Sequence, residues 1–308
     1  MSNFFQNFID PAFWYSVLRV STPLLFAVMA ALVSSIAGSI NIGIEGMMLM
    51  AAFWGNVIGA FVKNPWIGLL AGIASAIAMS LLLAFSHLKL RVNLVIAGVA
   101  LNLFASGFTV FMLFALTGEK GTSASLGSQP IPRLDIPLLR DIPFLGKVLN
   151  NHNALTYFAL ISIFLVDYLI RKTPLGMRMR AVGENPDAAT SVGVSVLRVK
   201  YVSLLLSGVF AGFAGAFLSM GYVSWFARDM TSGRGFIALA AQALGGNSAI
   251  LGALGALLFG VAEATGFTLQ SLRIPSEITN MIPFILTLIV LIIYARTRVR
   301  SHSRIQEI

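Results

Sequence analysis

Cysteine is absent, histidine occurs three times, and charge is scarce. Without a thiol the chain can form neither a disulfide nor a thiolate metal site, although this does not identify its compartment. His87, His152 and His302 are scattered through loops and the tail, without metal-ligand spacing. Charged residues fill 11% of the 308 positions, against about 25% in an average soluble domain. A soluble protein of this size would lack the polar side chains to cover its exterior. Enzyme signatures are missing too: there is no G-x-x-x-x-G-K-[ST] phosphate loop and no H-E-x-x-H helix. No serine has a candidate base at a periodic spacing, which argues against a hydrolase. The chain reads as non-enzymatic.

What is present is apolar, with 57% of residues hydrophobic. A spanning helix needs roughly 20 mostly apolar residues. Windows of that kind lie at 14–37, 42–62, 66–86, 93–117, 154–171, 200–222, 250–269 and 278–296. The fold class is therefore an all-α polytopic membrane protein with about eight to ten transmembrane segments. It forms one domain over residues 1–308, because no polar stretch is long enough for a separate soluble core. The stretch 235–247, GFIALAAQALGGN, is too short to cross alone. It reads as a broken or re-entrant piece, tolerated only where protein or a water-filled cavity shields its backbone. The opening MSNFFQNFIDPAFWY has no basic n-region, so the first apolar segment is expected to be retained.

The net charge of +9 reads as a topology signal rather than a nucleic-acid footprint, because the basic residues cluster at segment ends. Arg171, Lys172, Arg178, Arg180, Arg198 and Lys200 mark a cytoplasmic loop over about 172–198. His87, Lys89 and Arg91 mark a second cytoplasmic turn, and Arg296, Arg298, Arg300 and Arg304 a cytoplasmic tail. The loop 118–153 mixes both signs and carries several prolines, which fits the outside. These assignments give an external N-terminus and a cytoplasmic C-terminus, provided that 235–247 counts as one crossing. Three stripes of small residues recur every four positions: Gly68, Gly72, Ala76 and Ser80; Gly208, Gly212 and Ala216; Gly252, Ala256, Gly260 and Ala264. Such stripes let helices approach closely in lipid, either as internal seams or at a subunit interface.

Polar residues inside the apolar windows are the next candidates. In S-I-N-I-G-I-E-G at 39–46, Asn41 and Glu45 stand four apart, which predicts one shared helix face at the start of the second segment. An ionisable residue in a span is a functional candidate by default, but a structural cap or pair near the helix end fits Glu45 equally. Asn102, Gln242, Asn247 and Glu263 are further candidates for lining a path, set against simple interhelical hydrogen bonds. Asp167 and Arg171 form an i,i+4 pair. The loop R-A-V-G-E-N-P-D-A-A-T at 180–190 is over-built for a turn. Asn185 suits an N-cap, Pro186 the first helical position and Asp187 the positive end of the dipole, with Gly193 as the stop. A short helix exposing small side chains, flanked by Arg178, Arg180 and Glu184, suits docking of a cytoplasmic partner. The segment 223–234, with Arg228, Asp229 and Arg234, is expected outside, as surface charge.

Three stretches carry a family resemblance over nearly the whole chain. TPLGMRMRAVGENPDAATSVGV at 173–194 resembles the coupling loop of ABC-importer permeases of the branched-chain amino acid, ribose and simple-sugar type. GSINIGIEGMMLM at 38–50 and SGRGFIALAAQALGGN at 232–247 match the same family in the same order. Within it, G-E-N-P-D-A-A and I-N-I-G-I-E-G look most like the nucleoside-uptake permeases, in particular the shorter of their paired permeases. The resemblance implies a multi-pass subunit of the bacterial cytoplasmic membrane. Its partners would be a second permease, two ATPase subunits that hold ATP and magnesium, and an extracytoplasmic substrate-binding lipoprotein, with no cofactor on this chain. Arg180, Gly183, Glu184, Asn185, Pro186, Asp187, Ala188 and Ala189 carry over as coupling residues. Asn41, Glu45 and the 233–247 region would sit near the translocation path. The substrate would be a nucleoside or related sugar-type solute, with branched-chain amino acids as runner-up. An ion-coupled secondary transporter, using Glu45 or Glu263 as its ion site, is the rival from another class.

Overall fold

The computed structural model describes residues 10–127, 129–137 and 142–271, with positions 281 and 285. The expected window at 278–296 and the basic tail lie almost wholly outside these residues. Local chemistry sets the helix starts. Asp10 accepts from Ala12 N ahead of α1 (Pro11–Ile36), and α2 spans Ile44–Val62. Asn64 accepts from Trp66 N and Ile67 N ahead of α3 (Pro65–Leu88), and Asn93 caps α4 (Leu94–Thr117). In the following loop β1 (Arg133–Leu134) pairs antiparallel with β2 (His152–Asn153), around the short α5 (Leu145–Leu149). Asn153 then caps α6 (Ala154–Lys172). Two short helices follow, α7 (Pro174–Glu184) and α8 (Pro186–Ser191). Next come α9 (Val196–Phe217), which runs into a π-turn at Leu218–Tyr222, then α10 (Arg234–Gly245) and α11 (Ala249–Ser271). Among the described residues seven helices are long and apolar enough to cross a membrane, in register with the first seven predicted windows.

The small-residue stripes are internal seams. Gly68 lies against Gly55 and Gly59 of α2, and a Cβ on Gly72 would come within 2.8 Å of the Ala51 carbonyl. Further along α3, Ala76 and Ser80 meet Gly208 and Gly212 of α9, and Ser80 Oγ donates to Leu204 O at 2.5 Å. Gly215 lets α9 ride directly on the Met48 carbonyl of α2. The α11 stripe packs on α1, with Gly252 beside Val28 and Gly260 against Ser21. With no hydrophobic force between helices in lipid, such close packing is what holds the bundle together.

The ends of α1 locate the two large loops on opposite sides of the bundle. At its start, Tyr15 Oη donates to Asn151 O at 3.0 Å and its ring stacks on His152 at 4.1 Å. At its end, Ile36 lies against Gly183 of α7. The half-helix expected at 235–247 is α10, whose 12 residues reach about 18 Å, short of a roughly 30 Å apolar core. It does count as a crossing, because together with residues 223–233 it returns the chain from the far end of α9 to the α7 side.

Residues 223–234 do not stay outside. Arg228 N donates to Gly121 O at 2.9 Å, Thr122 bridges Ala227, and Ser106 Oγ on α4 donates to Asp229 Oδ1 at 2.7 Å. The loop after α4 turns inward to meet them: Ser123 Oγ donates to Asn56 Oδ1 at 2.6 Å and accepts from Phe226 N at 2.9 Å. The polar composition of 223–234 suggested surface, but these backbone and side-chain partners draw it into the bundle.

Two predictions follow from this packing. Gly215→Leu is expected to cost the folded bundle at least about 1–3 kcal/mol by overpacking, while Gly107→Leu, whose added Cβ meets nothing within 4 Å, changes little. Thermal unfolding of the detergent-solubilised protein compares them. His152 is buried and its ring nitrogen contacts Val148 O at 2.8 Å. Burial holds its pKa below the ordinary 6.5, helped by the positive charges of Arg19 and Arg133 and opposed by the Val148 carbonyl. Below pH 6.5 the unfolded chain then takes up a proton that the folded chain refuses. Stability present above that pH is therefore lost as pH falls, and a His152→Gln variant is expected to flatten this part of the pH profile of unfolding.

Candidate functional site

The loop 173–193 is built outward from the end of α6. Thr173 Oγ1 donates to Leu169 O at 2.6 Å and accepts from Gly176 N at 3.2 Å, turning the chain sharply. Along α7, Met179 and Val182 are buried, while Arg178 and Arg180 are exposed. Asn185 separates α7 from α8 and caps the latter as predicted, accepting from Asp187 N at 3.1 Å and Ala188 N at 3.0 Å. Pro186 occupies the first turn, Asp187 supplies its acid, and Gly193 follows the helix at φ 81°. The expectation of exposed small side chains holds for Ala188, Thr190 and Ser191. Ala189 is buried and anchors α8 to the bundle. Gly183 meets Ile36 and Gly38 backbone to backbone, where any side chain would collide. A cleft of about 230 Å³ lies there, lined by Ser35, Ile36, Arg180, Gly183, Glu184 and Asn247.

Inside the bundle, Glu45 has a defined task. Its Oε1 accepts from Gly233 N and its Oε2 from Gly235 N, both at 2.7 Å. The carboxylate therefore caps α10 across 188 residues of sequence, at the positive end of that helix dipole. Gly233 takes φ 80°, and a Cβ on Gly235 would lie 2.8 Å from Glu45 Oε2, so both positions need glycine. Asn102 braces the same crossing: its Oδ1 accepts from Gly46 N at 2.8 Å and its Nδ2 donates to Ile42 O at 3.0 Å. Asn41 is not on the face of α2 with Glu45, because the helix begins only at Ile44. It sits in the preceding turn, where its Oδ1 accepts from Gly43 N and its Nδ2 donates to Ser207 Oγ, both at 2.9 Å.

The other candidates part company. Gln242 closes the far end of α10 by donating to Gly246 O at 3.1 Å, and Asn247 is exposed beside Arg180 and Glu184. Glu263 pairs with Arg234, whose guanidinium also donates to Met230 O and Thr231 O. Asp167 and Arg171 form the predicted pair at 2.9 Å. Arg19 is missed by the sequence reading, although an arginine inside an apolar window was a visible signal. It donates to Tyr222 O at 2.6 Å and lies 4.7 Å over the Tyr222 ring, closing the end of the π-turn.

This arrangement joins an exposed polar loop at one end to a clamped half-helix inside. Residues 14–291 match the family described as branched-chain amino acid transport system permease component. The chain belongs to this permease family. It is 34% identical over 290 residues to the guanosine ABC transporter permease protein NupQ of Bacillus subtilis (strain 168), covering 90% of this chain and 89% of that one. It is 33% identical over 292 residues to the nucleoside ABC transporter permease protein NupC of Lactococcus lactis subsp. cremoris, covering 91% and 90%. The putative glucose ABC transporter permease protein TsgC13 of Haloferax volcanii is 34% identical over 263 residues, covering 84% and 78%. Bacillus subtilis also has a second matching guanosine permease, NupP. The chain is thus a multi-pass permease subunit, whose task is passage of a solute.

In this permease, Glu45→Ala leaves two backbone N–H groups without acceptors, at about 1–3 kcal/mol each. Glu45→Gln keeps one acceptor oxygen and is expected to lose roughly half as much. The comparison is made by thermal unfolding of the solubilised chain, with Gly235→Ala predicted to destabilise even in the Glu45→Ala background, because its Cβ would still lie 2.7 Å from the backbone nitrogen of residue 45.

Proposed function

We propose that this permease is one of two unlike membrane subunits of an ABC importer that carries a nucleoside into the cell. The similarity to NupQ and NupC over nine-tenths of the chain carries the substrate reading, and the glucose relative is consistent with a solute whose shared feature is a sugar ring. NupQ and NupP, two guanosine permeases in one organism, support a paired assembly. Of two ATPase subunits, holding ATP and magnesium, one docks on the exposed face of α7 and α8, and an extracytoplasmic lipoprotein delivers the solute at the opposite end. In this reading the loop 173–193 faces the cytoplasm of a bacterial cell and the start of α1 faces outward, in keeping with the basic residues from Arg171 to Lys200.

The loop suits such docking for a mechanical reason. Arg180, Glu184, Asn185, Pro186, Asp187 and Ala188 are exposed, while Met179, Val182 and Ala189 fasten the loop from beneath. A capped helix seated on buried side chains transmits a push rather than absorbing it. The purified chain alone is expected to hydrolyse no ATP. In cells holding the full transporter, Glu184→Ala combined with Asp187→Ala should lower guanosine uptake about tenfold or more, the scale of an interface hot spot. Insertion and pairing with the second permease should persist. Normal uptake would refute the docking assignment, and uptake competed by leucine but not guanosine would refute the substrate.

A further inference from the structure

The geometry points to a water-lined solute site at mid-depth of the bundle, built by Ser106, Arg228, Asp229 and Ser232, in which the Asp229 carboxylate takes the vicinal hydroxyls of a sugar-bearing solute. The hydroxyl part rests on the substrate reading above; the water-lined part does not. Depth comes from α4. Ser106 stands twelve residues past Leu94 in a 24-residue helix, so it lies about 18 Å along a length of about 36 Å. Its hydroxyl donates to Asp229 Oδ1 at 2.7 Å, which fixes Asp229 at the same level. Yet the Arg228 and Asp229 side chains are 63% and 49% exposed, and Ser232 is exposed beside them. The outward faces of α4 and α6 at comparable depth carry Leu103, Phe111, Ile161 and Phe164 instead. Apolar side chains suit lipid, whereas an open guanidinium and carboxylate at mid-depth belong in a water-filled cavity.

The loop that carries these groups is also held in uncommon conformations. Ser224, Asp229 and Ser232 take φ of 73°, 50° and 47°, ahead of Gly233 at 80°. Residues other than glycine rarely adopt this region, and keep it only where surrounding contacts insist. Here those contacts are Gly121 O accepting from Arg228 N, and Asp229 O accepting from both Ser232 N and Ser232 Oγ. The result is a carboxylate aimed by Ser106 on one oxygen and by Arg228 Nε at 3.3 Å on the other. Each oxygen retains a lone pair for a hydroxyl donor, and the outer Arg228 nitrogens remain able to donate to a ring oxygen or a base. Exposed Phe236, one turn into α10, offers an apolar wall for a planar ring.

The absence of native cysteine allows a direct test on the assembled transporter in membranes, with labelling read on this chain. Ser232→Cys is expected to react with a charged, membrane-impermeant methanethiosulfonate at least about tenfold faster than Phe164→Cys, since the thiolate forms only where water reaches it. Guanosine supplied with its binding protein should slow that labelling, and 2′,3′-dideoxyguanosine should not. Introducing Asp229→Asn, which keeps shape and assembly, should weaken guanosine protection about tenfold, as expected when a site built for substrate hydroxyls loses its acceptor. Equal labelling of the two cysteines would overturn the water-lined site. Equal protection by both nucleosides, or unchanged protection in Asp229→Asn, would overturn hydroxyl recognition. Fast labelling slowed by leucine but not by guanosine would leave the site standing and remove the nucleoside reading.

Discussion

A helix that starts inside an apolar bundle leaves backbone N–H groups with nothing to bond, and the Glu45 carboxylate is what meets them at α10. Gly235 is buried there, so an unmet N–H would cost free energy on the scale of a lost hydrogen bond or more. Two charge-assisted bonds, at 2.7 Å each, remove that cost and fix the angle at which α10 enters. The far end of the half-helix is closed in the same spirit by Gln242 and Gly246. Because α10 stops short, the preceding residues 223–233 occupy the depth that the rest of a full span would have filled. A polar segment at mid-depth is thus a consequence of the clamp.

The clamp in turn depends on close approach elsewhere. Glu45 lies in the first turn of α2, and α2 is positioned by Gly55 and Gly59 against Gly68 of α3, and by Gly215 of α9 against Met48. A larger residue at any of these contacts would push α2 away from α10 by a distance comparable to a hydrogen bond's tolerance. Asn102 adds a polar brace from the other side, tying α4 to the same turn through Gly46 and Ile42. Packing and polar satisfaction are therefore one constraint here. The helices can come near because their contact residues are small, and they must come near because the carboxylate has to reach.

How much of this was legible follows from the range of each interaction. The windows at 14–37 and 154–171 fall close to the observed Pro11–Ile36 and Ala154–Lys172, because the thickness of an apolar core sets a length that can be counted. The cap at Asn185 with Pro186 and Asp187 was readable because helix-end chemistry acts over three residues. Partners far apart in sequence left no such trace. Glu45 and Gly233 stand 188 residues apart, and Arg19 and Tyr222 stand 203 apart. Composition misread 223–234 for a related reason: charge suggests surface, whereas Arg228 N and the Asp229 carboxylate find partners on Gly121 and Ser106 far away in sequence.

The same reasoning bears on how a push on the exposed loop would enter the bundle. One route runs through the covalent ends of α6 and α9. Another runs through Gly183, which touches Ile36 and Gly38 with no side chain between the two backbones. Seven residues on from Gly38 stands Glu45. The intervening turn is pinned by Asn41 to Gly43 N and to Ser207 of α9, so it has little slack. Side chains can change rotamer and absorb displacement, but glycine backbones in contact cannot. In a close-packed interior of low compressibility, displacement passes preferentially through such contacts. A shift of α7 against α1 would then reach the Glu45 carboxylate through a short run of backbone contacts with little slack.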